Sequence, residues 1–526
     1  MASYNSFLFL LLYFGGTFVL YSLLPKKYKY LALLAGSWFY YFISTRGNVW
    51  ALAVTTAVVY GAALWMDAVK ARFKKDKATL DKDQRKLRKA ADRRKLSLIF
   101  GVSATLTVVL LLVTKYANFA VETVNSLFGT ALANTRIAQP LGVSFYTLEA
   151  VSYLYDVKTD RVRATKNPLK LSLFLSFFLT VVEGPIARYD DLGVQLGEGA
   201  RFDCDRFVRG AERVLWGLFK KVVLADRAAQ YASLMFTDFQ KYNGAMALLG
   251  VLLYTLQLYS EFSGIMDVVC GCGEMMGLTL PENFRQPFFS QSVGEFWSRW
   301  HMTLGAWLKE YVFYPLSLSK GFQKLSEKAG ARLTPYYAGL APASIAMFAV
   351  WFLCGFWHGA GWKYVAYGLY YYVLMMLGSY TEPLSKRVCD KLGIRRETSK
   401  WFHVFRILRT FALVNLGMLI FNAAGLRKAF KMLAFIGTNF FRAVPGKVLL
   451  TDFNLRVPDY VVLALATAAL IAVSVMRERG VDPRDRFARL PFALRFVLLL
   501  FFTLLLIIIG AYGHDYGPVD LIYANF

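Results

Sequence analysis

Residues Ile345–Leu377 read IAMFAVWFLCGFWHGAGWKYVAYGLYYYVLMML. Two apolar runs flank a short glycine-bearing turn, and His358 and Lys363 are the only basic residues in the stretch. Each run supplies the apolar core of a helix that enters or crosses a bilayer, for which about 20 mainly apolar residues are needed. The chain has only four histidines. Placing one of them, His358, in hydrocarbon-facing sequence needs a reason, because a polar group at membrane depth is costly unless it faces a cavity or a partner.

The rest of the chain has the same character. Its 526 residues are 56% hydrophobic, with a mean hydropathy of +0.40. Soluble domains carry fewer apolar residues and break them up with charge. Further candidate span cores are Phe7–Leu24, Tyr30–Ser44, Val49–Met66, Leu96–Thr114, Leu171–Val182, Ala245–Leu258, Phe411–Phe421, Val461–Val475 and Phe496–Ala511, with Leu141–Tyr155 weaker. Within the opening region the cores are Ser344–Trp357 and Val365–Leu377. Several are short or interrupted by Gly and Pro, which points to re-entrant or broken helices around a central cavity. The expectation is an all-α polytopic membrane protein with ten or more spans and some half-spans.

A net charge of +26 invites a nucleic-acid reading, but its distribution argues against one. The basic blocks lie beside the spans: Lys70–Lys95, and segments beginning at Asp156, Pro383 and Met476. That is the positive-inside pattern, with anionic lipid headgroups as partners. No basic patch is interleaved with stacking aromatics, so no nucleic acid is expected as a ligand. With Lys70–Lys95 cytoplasmic, alternation puts the N-terminus and the Lys115–Gln139 loop outside. The N-terminal run lacks a basic n-region and an A-x-A site, so it reads as a retained span in the cell membrane.

The five cysteines are scattered. Cys270 and Cys272 do not have CxxC spacing and no histidine lies nearby, so neither zinc nor a disulfide is expected. The run GCGEMMG (Gly271–Gly277) has the wrong spacing for a nucleotide loop and reads as close helix packing. HExxH, GxSxG and Walker motifs are absent.

The region Tyr254–Tyr372 carries the chemistry. Glu261 and Asp267 sit in an otherwise apolar helix and read as buried partners of Arg or Lys. The aromatic-rich segment that follows holds Glu295, Arg299, His301, Lys309 and Glu310. It reads as a partly interfacial or re-entrant helix ending at a Tyr-Pro break before Lys320. Arg188, in EGPIARY, is expected at a helix end. His403 and His514 match no motif.

FWSRWHMTLGAWLKEYVFYPL, followed by GFWHGAGWKYVAYGLYYY, resembles the paired signature of the membrane-bound O-acyltransferases, the MBOAT family. The stretch from PLGVSFYTLEA to GPIARYDDL and the run YTLQLYSEFSGIMD agree with it, so the likeness runs from Pro140 to Tyr372. It is nearest to the bacterial branch of alginate, peptidoglycan and other polysaccharide O-acetylases, which also holds the D-alanine transfer protein of teichoic acid. The residues GPVDLIYANF resemble that branch's FIYF ending in altered form.

The resemblance implies a ring of tilted and re-entrant helices around a central cavity. It divides the chain into N-terminal spans (1–139), a catalytic core (140–380) and C-terminal spans (381–526). It assigns His358 as the catalytic base and His301 as its support. Trp300, Trp357, Gly359, Trp362 and Arg299 are the expected substrate-binding residues. It implies no permanently bound cofactor. The donor is a cytoplasmic acyl thioester, acetyl-CoA or an acyl carrier protein, with Lys309, Lys320, Lys324 and Lys158–Lys170 at its mouth. The acceptor is a polysaccharide, reached through an extracytoplasmic SGNH-type acetyltransferase partner.

Elementary chemistry supports these roles. An imidazole held away from water stays neutral and can take a proton from an attacking hydroxyl as it meets a thioester carbonyl. Trp357 and Trp362 would wall the site against water, and Gly359 and Gly361 would let the backbone approach closely. The plainer alternatives are a histidine that only bonds a neighbouring carbonyl and, for His301, an interfacial Trp-His anchor. A transporter would also use broken helices and midplane acids, but no inverted repeat is visible. D-alanyl transfer is the rival within the enzyme class, and the long C-terminal part favours the O-acetylases.

Overall fold

The computed structural model describes residues 8–135, 139–444 and 455–512, with Tyr4, Ser6, Ile137, Asp452, Phe453 and Tyr516. His514 and the GPVDLIYANF ending fall outside the described residues. Every regular element among the described residues is a helix, and the one β contact is an isolated bridge, Phe284–Trp300. Two compact units divide the chain: Met1–Ala211 with Val269–Pro281, and Glu212–Val268 with Glu282–Phe526.

In the first unit, helices Trp50–Asp76 and Lys82–Phe128 form a hairpin. Its turn is closed by a capping box in which Asp81 and Gln84 satisfy each other's backbone N–H. At 1.5 Å per residue the 47-residue Lys82–Phe128 helix is about 70 Å long, more than twice the hydrocarbon thickness. Its basic first half is therefore too long and too charged to lie within the bilayer. The expected Lys115–Gln139 loop is corrected here. The helix runs on to Phe128, ends at left-handed Gly129, and buries Lys115, which donates to Ser144 Oγ at 2.9 Å. Leu171–Val182 does not form one helix long enough to cross a membrane. Its helix, Pro168–Ser176, stops after nine residues, and the following stretch is buried without regular structure. Gly142 (φ 68°) explains part of that packing, because a Cβ there would strike the carbonyl of Val181. Arg188 stands in extended backbone just before the turn Tyr189–Gly193, as its motif suggested.

In the second unit, the helical run Cys204–Leu218, of which Glu212 onward belongs here, crosses Gly244–Met275 at Gly217 and Gly264. A Cβ on Gly217 would meet the Gly264 carbonyl. This contact seats a wide π-helical turn, Phe219–Ala225, that buries the consecutive Lys220 and Lys221. Lys220 pairs with Asp267 at 2.7 Å and Lys221 with Asp226 at 2.8 Å and Glu261 at 3.5 Å. Glu261 and Asp267 thus have the Arg or Lys partners expected of them, Asp267 pairing also with Arg213.

Among the described residues, seven helices are long and apolar enough to cross a membrane. This is fewer than the expected ten or more. Lys29–Ser44 has only 16 residues, and Trp362–Lys391 dilutes its apolar half with the tyrosines of YVAYGLYYY.

Candidate active site

His358 is the last residue of helix Pro335–His358, and Trp362–Lys391 returns beside it. The two helices pack closely where Gly355 meets Gly368, small residues that allow backbones to approach. Gly359, Ala360 and Gly361 make the turn. A Cβ on Gly359 would collide with the ring of Tyr364, so only glycine leaves that ring its place. Tyr364 stacks edge-on to Phe421 at 5.3 Å, and Phe421 does the same to His358 at 5.7 Å. Trp357 and Tyr367 cover other faces of the imidazole, and Cys354 Sγ lies 3.9 Å from its Nε2.

His301 comes from a different element. It joins two seven-residue helices, Val293–Arg299 and Met302–Leu308, in a left-handed conformation (φ 48°, ψ 51°). Non-glycine residues seldom adopt this conformation. The second helix continues through Pro315. The wide turn Lys309–Phe313 opens the ladder ahead of the proline, and helix resumes over Tyr314–Ser317. The expected Tyr-Pro break is therefore replaced by an end at Leu318.

The two imidazoles converge. Both residues are 2% exposed, with ring centroids 6.5 Å apart and Trp357 packed against both. A largely apolar cavity of about 490 Å³ reaches His301, lined also by Trp300, Met302, Lys309, Trp351 and Cys354 among others, while His358 lies behind Cys354. A larger cavity, of about 650 Å³, lies between Gly244–Met275 and Val457–Glu478 and touches neither histidine.

The expected binding residues divide. Trp300 lines the cavity and Trp357 walls the histidines. Trp362 is 58% exposed, because the Gly359–Gly361 turn places it at the start of the next helix. Arg299 is occupied by Glu295 and Glu478, both at 2.8 Å, and braces the protein outside the cavity lining. Gly359 serves the Tyr364 ring. Sequence reasoning missed Asn283, Tyr367 and Phe421. Asn283, in LPENFRQP, lies in a run otherwise read for its aromatics.

Residues 34–328 match the model of the membrane-bound O-acyltransferase family. The chain belongs to that family. This MBOAT protein is 33% identical over 436 residues to the probable alginate O-acetylase AlgI of Pseudomonas aeruginosa, covering 81% of this chain and 72% of the relative. It is 29% identical over 373 residues to the peptidoglycan O-acetyltransferase of Helicobacter pylori, covering 66% of each. It is 26% identical over 284 residues to the teichoic acid D-alanyltransferase of Bacillus subtilis, covering 54% of this chain and 68% of the relative. The MBOAT chain is a multi-pass membrane protein and an O-acyltransferase. The matched segment includes His301 and ends before His358.

Proposed function

We propose that this MBOAT protein is an O-acetyltransferase that carries an acetyl group from a cytoplasmic thioester toward an envelope or extracellular polysaccharide. The observation behind this reading is the pair of buried histidines, from separate elements, with ring centroids 6.5 Å apart beside an apolar cavity that His301 and Cys354 line. The greater coverage by the alginate O-acetylase than by the D-alanyltransferase favours acetyl over D-alanyl.

His358 takes the proton from an acceptor hydroxyl as its oxygen attacks the thioester carbonyl. The new C–O bond forms, the C–S bond breaks, and the proton leaves with the thiolate as a thiol. Trp357, Tyr367 and Phe421 keep water from competing. His301 supports this step from the cavity wall. The donor is acetyl-CoA or an acyl carrier protein, and an extracytoplasmic SGNH-type protein passes the acetyl group to the polymer. The protein sits in the cell membrane with its N-terminus outside.

The test is acyl transfer to the envelope polymer by membranes carrying His358→Ala, with protein level and folding checked by chromatography in detergent. General-base catalysis is worth about 10²–10⁴-fold, so at least that loss is expected with folding intact. His301→Asn should keep partial activity and His301→Ala less. Full activity in folded His358→Ala refutes the assignment.

A further inference from the structure

The left-handed turn at His301 is held by a clamp whose chemistry decides which ring nitrogen carries the hydrogen. Arg285 N donates to the Arg299 carbonyl and Met302 N to the Asn283 carbonyl, each at 3.0 Å, so residues 283–285 grip the turn from both ends. The Asn283 side chain, fully buried, completes the grip. Its Oδ1 accepts from Thr303 N at 3.0 Å and Thr303 Oγ1 at 2.8 Å, and lies 3.3 Å from His301 Nδ1. Its Nδ2 points to Met266 Sδ at 3.0 Å.

The assignment follows from donors and acceptors alone. A backbone N–H can only donate, so the Asn283 atom facing Thr303 N is the carbonyl oxygen, and the amide cannot be flipped. A carbonyl oxygen can only accept, so His301 Nδ1 must be the donor. In a neutral imidazole the lone pair then resides on Nε2. The same clamp holds the left-handed backbone, a strain that persists only where the surroundings over-determine it.

We infer that Asn283 is a positioning residue: it fixes His301 as the Nδ1–H tautomer, so that Nε2 is the proton-accepting atom this ring offers to acyl transfer. The catalytic half of that statement rests on the histidine-pair reading above; the tautomer half does not.

Solid-state NMR of the full-length protein in lipid, labelled with ¹⁵N-histidine, reads the tautomer without any assay of activity. The His301 signals are those that His301→Asn removes. A single neutral form with protonated Nδ1 is expected. A protonated Nε2, or a mixture of tautomers, overturns the inference whether or not any Asn283 variant folds. Asn283→Ala should mix the tautomers and lower kcat about 10–100-fold, as removal of an orienting partner does, with donor KM within about two-fold. Unchanged kcat would overturn the role.

Asn283→Asp keeps the acceptor and adds a negative charge beside the ring. It should exceed Asn283→Ala in activity and move the acidic limb of the kcat–pH profile upward by about one unit. The groups around His301 allow that reading. His358 is the titratable neighbour, Lys309 lines the same cavity, and Phe262 and Trp357 cover the other faces. Asp267, on the helix of Phe262 and Met266, is taken by Arg213 and Lys220. An active Asn283→Asp with an unmoved limb overturns the inference. Full activity in His358→Ala would instead end the base assignment and leave the tautomer result standing.

Discussion

Asp267→Ala is expected to destabilise the protein more than loss of either cation that Asp267 holds. Asp267 accepts from Arg213 Nε at 2.9 Å and from Lys220 Nζ at 2.7 Å, with side chains 13% and 4% exposed on the two cations. Removing the shared anion strands both, but unequally. Arg213 keeps a bidentate contact to Glu282 at 2.7 and 2.6 Å. Among the described residues, Lys220 keeps only the hydroxyl of Ser263, at 2.9 Å. The cost therefore falls mostly on Lys220, in the range of about 3–5 kcal/mol for breaking a buried pair. Lys220→Met leaves Asp267 paired with Arg213 and should cost about 1.5–3 kcal/mol, the worth of a charged hydrogen bond. The double variant Asp267→Leu/Lys220→Met buries no unpaired lysine and should recover most of the Asp267→Ala loss. Denaturation in mixed micelles, read by chromatography of the folded fraction, ranks the three. If Asp267→Ala is no worse than Lys220→Met, Lys220 is solvated and the buried-network reasoning is wrong.

Trp357→Ala should raise hydrolysis of the donor relative to transfer, whereas Trp362→Ala, at an exposed helix start, should change neither ratio nor rate beyond about two-fold; free thiol release against polymer acetylation measures both. A cysteine placed at Asn134 in a cysteine-free background should react with an impermeant reagent outside the cell and one at Lys82 should not; the reverse pattern inverts the topology. Glu at both Lys320 and Lys324, on the exposed face of helix Lys320–Gly330, should raise donor KM, with the gap narrowing as salt is added. An unchanged KM removes these lysines from the donor's path.

Membrane character, the basic-loop pattern and the two histidines were legible because each depends on composition or on a short motif. The partners of Glu261 and Asp267 were legible as a class, since an acid at membrane depth must be paired. Which lysines pair with them was not. Lys220 and Lys221 are adjacent, and an ordinary helix would turn their side chains about 100° apart; the wide turn Phe219–Ala225 buries both. The long apolar helices among the described residues are fewer than the expected spans for a related reason. Hydropathy cannot see that Pro168–Ser176 stops after nine residues, or that Lys82–Phe128 continues past its apolar run.

The expected binding residues divide for one reason. Trp357 and Trp362, one and four residues from His358, flank the same glycine turn, so the motif alone treats them alike. The helix end separates them: Trp357 belongs to the last buried turn before Gly359, while Trp362 starts the next helix facing outward. Arg299 likewise adjoins Trp300 and His301 in sequence, yet the extended Trp300 and left-handed His301 interrupt the helix, so Trp300 lines the cavity while Arg299 joins Glu295 and Glu478. That interruption needs a partner for the backbone it exposes, and the partner, Asn283, lies 18 positions away from His301. A motif holding both histidines therefore names the reacting groups without naming what sets their orientation.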